Sequence, residues 1–433
     1  MLNSDQQNAL LFIRRWWRSR DQCMILDGAG GTGKSYLLHE AIDGLNCVPM
    51  FLCPTHEALK QLRDKVRGDY LFLTVHKALG LAPSIHEEDI IFEQIALPTY
   101  WDNHNLIVVD EASMLSATLL DIILKTRKKV IFVGHVAQLP PVDENRDSID
   151  KCVSPVFTMQ WSKVSLTIPM RNTGELWEFN KKLEKLTHKP SGIIPSTFDI
   201  TTNQLFDYAM SEEGKKKFYE GTAKIAVWTN NGADRYNSRI RHILFGEESK
   251  IKKYIRGDKI LITQPVTVIS GLDRLRESHL KKAMTKKVDT LFSNTKAEVI
   301  DSSDCSVVFN ADLSLRCYKI HVQTDTGKYY FYELKCVDDY IKVKKYFLHQ
   351  AYNKKTTVDR QNAFKLTHFV LSLFADVKHC YTMTSHRLQG SSIDTVIVIA
   401  SDIDKNKNRI ERAKCRYVAC SRAINTLMYY RGV

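Results

Sequence analysis

Over the first 135 residues, short apolar runs alternate with stretches whose apolar positions recur three and four residues apart. Met24-Ile25-Leu26 leads into a glycine cluster and then into a helical pattern through Leu37, Leu38, Ala41 and Ile42. Val48-Pro49-Met50-Phe51-Leu52-Cys53 predicts a second strand, followed by a helix from Thr55 to about Arg67. Leu106-Ile107-Val108-Val109 and Val130-Ile131-Phe132-Val133 predict two more buried strands. Continuous apolar strands separated by helices predict a parallel sheet covered on both faces. A second set follows at Ile225-Ala226-Val227-Trp228, Tyr381-Thr382-Met383, 395–400 and 426–430. Between them, residues from about 248 to 375 alternate in the antiparallel manner, as in 317–322 and 328–333, with Thr326-Gly327 as a hairpin turn.

Composition narrows the class. The chain of 433 residues is 44% hydrophobic and 26% charged, which excludes a disordered or fibrous protein. No apolar run approaches the roughly 18–20 residues of a membrane span. The polar start, Met1-Leu2-Asn3-Ser4-Asp5-Gln6, lacks the apolar core of a signal peptide. Ten cysteines without any Cys-x-x-Cys read as thiols of a reducing, cytoplasmic protein rather than zinc ligands. The net charge of +13 favours a polyanionic partner. That charge is unevenly distributed. Residues 1–180 carry 18 Lys+Arg and 22 Asp+Glu, a net −4; residues 181–433 carry 44 and 27, a net +17.

Gly28-Ala29-Gly30-Gly31-Thr32-Gly33-Lys34-Ser35 fits the phosphate-binding loop in its required context, after a strand and before a helix. Its glycines let main-chain N–H groups cradle phosphates, aided by the helix N-terminus. Lys34 then reaches the β/γ-phosphates and Ser35 holds Mg²⁺. Asp110-Glu111 ends the third strand, at the carboxyl edge of a parallel sheet where ligands bind. Asp110 fits the Mg²⁺ carboxylate, and Glu111 the group that orients or deprotonates the attacking water. After the next strand comes Gly134-His135-Val136-Ala137-Gln138-Leu139-Pro140-Pro141, where Gln138 reads as a sensor of the γ-phosphate or, taken alone, as a surface amide.

The phosphate-binding loop, Asp110-Glu111-Ala112-Ser113 and Gly134-x-x-x-Gln138-Leu-Pro-Pro resemble motifs I, II and III of superfamily one helicases. Thr384-Ser385-His386-Arg387-Leu388-Gln389-Gly390 is similar to motif V of the RecD-like class, and Tyr417-Val418-Ala419-Cys420-Ser421-Arg422-Ala423 to motif VI. Leu2-x-x-x-Gln6-x-Asn8-Ala9 resembles the Q motif, Pro54-Thr55-His56-x-Ala58 motif Ia, and Thr74-Val75-His76 the short DNA-contacting motif after it. Phe92-Glu93-Gln94 falls where Dda-type members carry a closely similar stretch in a strand-separating pin. Arg387 stands where Lys is common in the family, and Cys420-Ser421-Arg422 where Val-Thr-Arg is common.

The resemblance implies an α/β fold of two RecA-like P-loop domains with parallel sheets. Residues 1–80 and 97–180 would form the first, 81–96 a pin hairpin, 181–247 and 376–433 the second, and 248–375 a β-rich, SH3-like insertion. It implies ATP and Mg²⁺ as cofactors, and ATP-driven 5′-to-3′ translocation on single-stranded DNA with unwinding. Gln6 would contact adenine. Gln389 and Gly390 would border the nucleotide, and Arg171 and Arg422 would act as arginine fingers. It also implies single-stranded and fork DNA as partners, single-strand-binding or replisome proteins beside them, function as a monomer, no membrane, and the host cytoplasm for a phage-encoded protein.

For DNA, Pro54, Thr55, His56, Thr74, His76, Thr384 and His386 are short polar or turn-forming groups after strands. Trp228, followed by Thr229-Asn230, reads equally as a platform for base stacking or as a core side chain capping a strand. Phe92 reads as a wedge or as simple packing. Within the insertion, Lys281-Lys282, Lys286-Lys287, Lys342, Lys344-Lys345 and Lys354-Lys355 interleave with tyrosines, a strand-binding pattern that is also that of a solvated charged face. Two other functions compete: a P-loop kinase or nuclease-coupled ATPase, which needs a further carboxylate cluster or acceptor pocket, and an ATPase that binds nucleic acid without unwinding it.

Overall fold

The computed structural model describes residues 2–86, 89–94, 97–141, 153–171, 173–269, 271–286 and 288–432, with those from 82 to 94 described by their backbone alone. The chain divides into two compact units, one of 1–82, 94–233 and 382–433, the other of 83–93 and 234–381.

The first unit contains two parallel sheets. One has six strands in the order Leu71–Thr74, Pro49–Cys53, Leu106–Val109, Lys129–Gly134, Cys23–Gly28 and Ser162–Leu166. Its central strands are wholly buried, as continuous apolar sequence requires. Ser162–Leu166 was not evident in the sequence: as an edge strand it alternates exposed and covered residues instead of forming an apolar run. One face is covered by helix Lys34–Asp43, which buries Leu37, Leu38, Ala41 and Ile42, each larger side chain contributing about 1.5–3 kcal/mol. Helix Ser4–Arg18 packs there too, through Ala9, Ile13 and Trp16. Its start is fixed by reciprocal bonds: the Asn3 side chain accepts from the Gln6 N–H, and the Gln6 side chain from the Asn3 N–H. The other parallel sheet has four strands, Thr382–Thr384, Ala223–Val227, Ile393–Ile399 and Ala423–Tyr430. Helix Arg409–Ser421 belongs to this half and is capped by Asn408.

The second unit is built on a five-stranded antiparallel sheet, in the order Lys328–Leu334, Ser314–Gln323, Lys296–Val308, Lys259–Ile262 and Val377–His379. The Thr326-Gly327 turn joins the first two in that order, and Gly327 takes φ 151°, a conformation that favours glycine. This part is not β-structure alone. Helices Val337–Tyr352 and Thr357–Ser372 follow the sheet strands, and their aromatic and β-branched residues interspersed with polar ones mimic strand alternation. In the first, the buried Val343, Phe347, Leu348 and Ala351 keep helical spacing.

Leu81–His86 and Asp89–Gln94 pair as a two-stranded sheet in the segment read as a pin. The side chain of Phe92 lies outside the described residues, as does Lys287. Among the described residues no helix is long and apolar enough to cross a membrane.

Candidate functional site

Every strand of the six-stranded sheet ends beside a residue singled out in the sequence. Cys23–Gly28 runs into the glycine loop, Leu106–Val109 into Asp110, and Lys129–Gly134 into the segment holding Gln138. Pro49–Cys53 and Leu71–Thr74 end at Thr55 and Thr74, and Ser162–Leu166 leads to Arg171. Parallel strands put all these ends on one edge.

In the loop, Gly31 and Gly33 take φ 88° and 82°, as a main chain that turns its N–H groups inward requires. Lys34 Nζ donates to the carbonyls of Gly28 (2.6 Å) and Ala29 (3.0 Å), which places the ammonium inside the loop. Burial pulls its pKa down, against the attraction of Asp110 and Glu111. Asp110 accepts the Glu111 N–H at 2.9 Å; burial, and then the neighbouring Glu111 charge, push its carboxyl pKa up. Glu111 itself sits at φ 51°, ψ 40°, a left-handed conformation that costs a glutamate on the order of 1 kcal/mol or more. Gln138 Nε2 donates to Glu111 Oε2 at 2.9 Å, while Gln138 Oε1 accepts the His135 N–H at 3.0 Å.

Two arginines approach the loop, Arg171 by its aliphatic stem and Arg422 by its guanidinium. A Cβ on Gly31 would stand 2.9 Å from Arg171 Cβ, and one on Gly30 would stand 3.7 Å from Arg422 Nη2. The Met170 N–H donates to the Gly31 carbonyl at 2.8 Å, which fixes the segment before Arg171. Arg422 is buried and is aimed by its bonds to the Val418 carbonyl and Ser421 Oγ. Burial lowers the pKa of both, and for Arg171 the Arg422 charge adds to this.

Two observations test the fit of a nucleotide and its metal. Gln6, fully buried, leaves its Nε2 without a hydrogen-bond partner, close to where a Cβ on Gly33 would fall. A buried donor of that kind needs an acceptor, and a purine edge supplies one. The pKa of Asp110 is raised by burial and by Glu111 in spite of Lys34 and Lys65, so a divalent ion held with Ser35 would fit its charge. Gln389 and Gly390 arrive from the second sheet. Gln389 accepts the Leu139 N–H (3.2 Å) and donates to Ser113 Oγ (3.1 Å), and a Cβ on Gly390 would lie 3.7 Å from Glu111 Oε1. Gln389 therefore joins the Asp110 and Gln138 segments to the second sheet.

A buried cluster escaped the sequence reading. His135 Nδ1 lies 2.7 Å from Asp27 Oδ1, and its Nε2 lies 3.1 Å from Glu184. Lys163 Nζ pairs with Asp27 at 2.8 Å, and Ser165 Oγ donates to it. Burial opposes ionisation of Asp27, but His135 and Lys163 outweigh it and hold its pKa well below the usual range. For His135 burial is likewise outweighed, by the two carboxylates, and its pKa is raised. The only local signal was an acid ending a strand, Asp27, and its partners are 108 and more residues away.

On the remaining edge, Thr55 Oγ1 accepts the Ala58 N–H and Thr74 Oγ1 the Lys77 N–H, so both threonines cap helices. They stand at the ends of adjacent strands, with Cys53 opposite Thr74. His56 and His76 follow them, their pKa values lowered by burial and, for His56, by Lys77. In the four-stranded sheet, Thr384 and Val227 are likewise paired, which puts Trp228 next to the Thr384 end. Trp228 is half-buried and Asn230 exposed. The Trp228 and Thr229 N–H groups both donate to Asp402, a buried carboxylate not anticipated from the sequence. His386 Nε2 lies 3.4 Å from Glu411.

Two families match within the chain: an AAA domain over residues 17–144 and the viral superfamily 1 RNA helicase core domain over residues 340–431. The ATP-dependent DNA helicase dda of Enterobacteria phage T4 is 22% identical over 92% of each chain. An uncharacterized protein of Acanthamoeba polyphaga mimivirus is 24% identical over 99% of each. The ATP-dependent DNA helicase PIF1 of Saccharomyces cerevisiae (strain YJM789) is 32% identical over 28% of this chain and 16% of its own length. In fold, the chain is similar to a solved structure of two coordinating Pif1 helicases on forked DNA, at TM-score 0.52 and 15% identity, covering 99% of this chain and 92% of that one. Pif1 helicase from Bacteroides, solved with ADP-AlF3 and single-stranded DNA, follows at TM-score 0.50 and 14% identity with the same coverage.

Proposed function

We propose that this chain, a superfamily 1 helicase of the Dda and Pif1 kind, hydrolyses ATP to move 5′ to 3′ along single-stranded DNA and to part the duplex at a fork. The observation that carries the reading is the guanidinium of Arg422, brought from the second sheet to the glycine loop that holds Lys34, while Glu111 and Gln138 are bonded to each other beside Asp110.

Each residue acts by its own chemistry. Ser35 and Asp110 hold the metal of MgATP, and the main chain of Gly28, Gly30, Gly31, Thr32 and Gly33 lines the phosphates, with Lys34 on the outer ones. Bound Mg²⁺ supplies charge neutralisation at those phosphates. Gln6 Nε2 donates to the adenine. Glu111, held by Gln138, orients the attacking water. Arg171 and Arg422 stabilise the charge that spreads over the γ-phosphoryl oxygens. Because Arg422 belongs to the second sheet, hydrolysis depends on that sheet staying closed against the loop, and this links chemistry to motion.

The strand would be tracked by Pro54, Thr55, His56, Thr74, His76, Thr384 and His386, with Trp228 and Asn230 beside Thr384 and Phe92 as the wedge in the pin. The +17 of residues 181–433 favours DNA approach to that half, and binding should weaken with salt. A monomer working in the host cytoplasm on phage replication, recombination or repair, alongside single-strand-binding or replisome proteins, suits relatives encoded by viruses.

The test is unwinding of 5′-tailed and 3′-tailed duplexes with and without ATP, paired with ATP hydrolysis with and without single-stranded DNA. The reading expects ATP-dependent unwinding of the 5′-tailed duplex alone and a sharp rise in hydrolysis on DNA. Stimulated hydrolysis without unwinding of either duplex would instead identify a nucleic-acid-binding ATPase, and hydrolysis unchanged by DNA would defeat both.

A further inference from the structure

Helix Arg409–Ser421 carries a second cation toward the hydrolysis site, about two turns before Arg422. Lys414 is buried, with 2% of its surface exposed. Its Nζ donates to the main-chain carbonyls of Val136, at 2.6 Å, and Gln138, at 3.1 Å. Burying an ammonium is costly unless its hydrogens find acceptors, and here two are met by a loop of the other sheet. That loop is the one whose Gln138 side chain spans the His135 N–H and Glu111 Oε2. The Gln138 N–H donates in turn to the His135 carbonyl at 3.1 Å, so the segment is a tight turn whose carbonyls face Lys414 and whose amide side chain faces Glu111.

We propose that Lys414 is a positioning residue for hydrolysis: by gripping the Val136 and Gln138 carbonyls it holds Gln138 in the register that aims Glu111. Lys414 acts through Gln138 and touches no reacting atom. One helix then performs two tasks on closure. It presents Arg422 to the glycine loop, and through Lys414 it sets the residue that orients the water. The proposal rests on the helicase reading for the roles of Glu111 and Gln138.

The test is steady-state ATP hydrolysis, basal and with saturating single-stranded DNA, by wild type, Lys414→Met, Lys414→Gln, Gln138→Ala and the Lys414→Met/Gln138→Ala double variant. The melting temperature is measured for each. Lys414→Met should lower kcat about 10–100-fold with the KM for ATP within about threefold, the signature of a contact that matters in the transition state and not in binding. Lys414→Gln, which keeps an N–H for a carbonyl, should recover part of the loss. In the Gln138→Ala background, Lys414→Met should cost less than about twofold more, because residues that act as one unit do not add. A merely structural lysine would lower the melting temperature and leave the effects additive. Additive losses, or wild-type kcat in a folded Lys414→Met, overturn the proposal. If Lys414→Met does not fold, Lys414→Gln with Gln138→Ala completes the same cycle. A wild type unstimulated by DNA defeats the helicase reading instead, and the cycle is then read on basal hydrolysis.

Discussion

Two aspartates, one in each unit, are treated in opposite ways. Asp258, in the antiparallel unit, is completely buried. Arg241 meets it with two bonds of 2.9 Å, the Ile255 N–H and the Tyr381 hydroxyl donate to it, and His379 lies 3.7 Å away. Burial works against its charge, but His379 and Arg241 outweigh it and its pKa falls. Asp110, in the parallel unit, receives one N–H, faces Glu111, and has its pKa raised. The cations that act on it, Lys34 and Lys65, are also shifted away from their charged forms by burial. A charge whose partners are complete holds a fold together; a charge left short of partners marks where a ligand completes the set.

Removing one member from each set is the most direct way to break this contrast. Lys34→Ala should reduce ATP hydrolysis about a thousandfold while single-strand binding survives and the melting temperature stays level or rises. Loss of binding in a folded variant would contradict the role given to Lys34. Arg241→Met should do the reverse. It strands Asp258 and should cost about 3–5 kcal/mol in denaturant unfolding. An unchanged unfolding midpoint would remove Asp258 as the contrasting case.

The Asp27–His135 pair sharpens the contrast, because it is a charge-paired set inside the parallel-sheet unit. Facing His135 are Asp27 and Glu184, with Lys163 on the far side of Asp27. The raised His135 pKa contributes stability that is complete below its ordinary value of 6.5 and is lost as pH rises through the raised value. The lowered Asp27 pKa contributes stability that is complete above 3.8 and is lost as pH falls through the depressed value. Melting temperature should therefore decline on the alkaline side of neutrality in wild type, and the decline should flatten in His135→Asn. The smallest effect is expected from Phe92→Ala, which asks whether the pin does more than pack. Unwinding should slow a few-fold relative to translocation on a single strand. Equal slowing of both would remove the wedge.

Much of the candidate site was legible because the residues of each motif lie close together in sequence. A glycine loop, Asp110-Glu111 and Gln138 each sit within a few residues of the strand that carries them, so they stand out together as candidates in the sequence. Four of the six strands in the first sheet, Cys23–Gly28, Pro49–Cys53, Leu106–Val109 and Lys129–Gly134, were apolar runs and were legible for the same reason. Ser162–Leu166 was not, since an edge strand needs no apolar run. Lys414 and Glu184 were invisible because their partners are remote in sequence: Val136 and Gln138 lie 278 and 276 residues from Lys414. Helix Val337–Tyr352 was hidden by composition, its buried stripe diluted by tyrosine, isoleucine and valine that also suit strands.

The grip of Lys414 has an evolutionary consequence. Its acceptors are peptide carbonyls, which every amino acid possesses, so Val136 and Gln138 can be exchanged without withdrawing either oxygen. Natural sequences would then carry no paired changes between position 414 and the loop, and methods that read proximity from correlated substitution would miss the junction between the two sheets. Such a contact is also portable. A lysine placed at the same point of the helix in a relative would find its oxygens waiting, whatever side chains that loop displays.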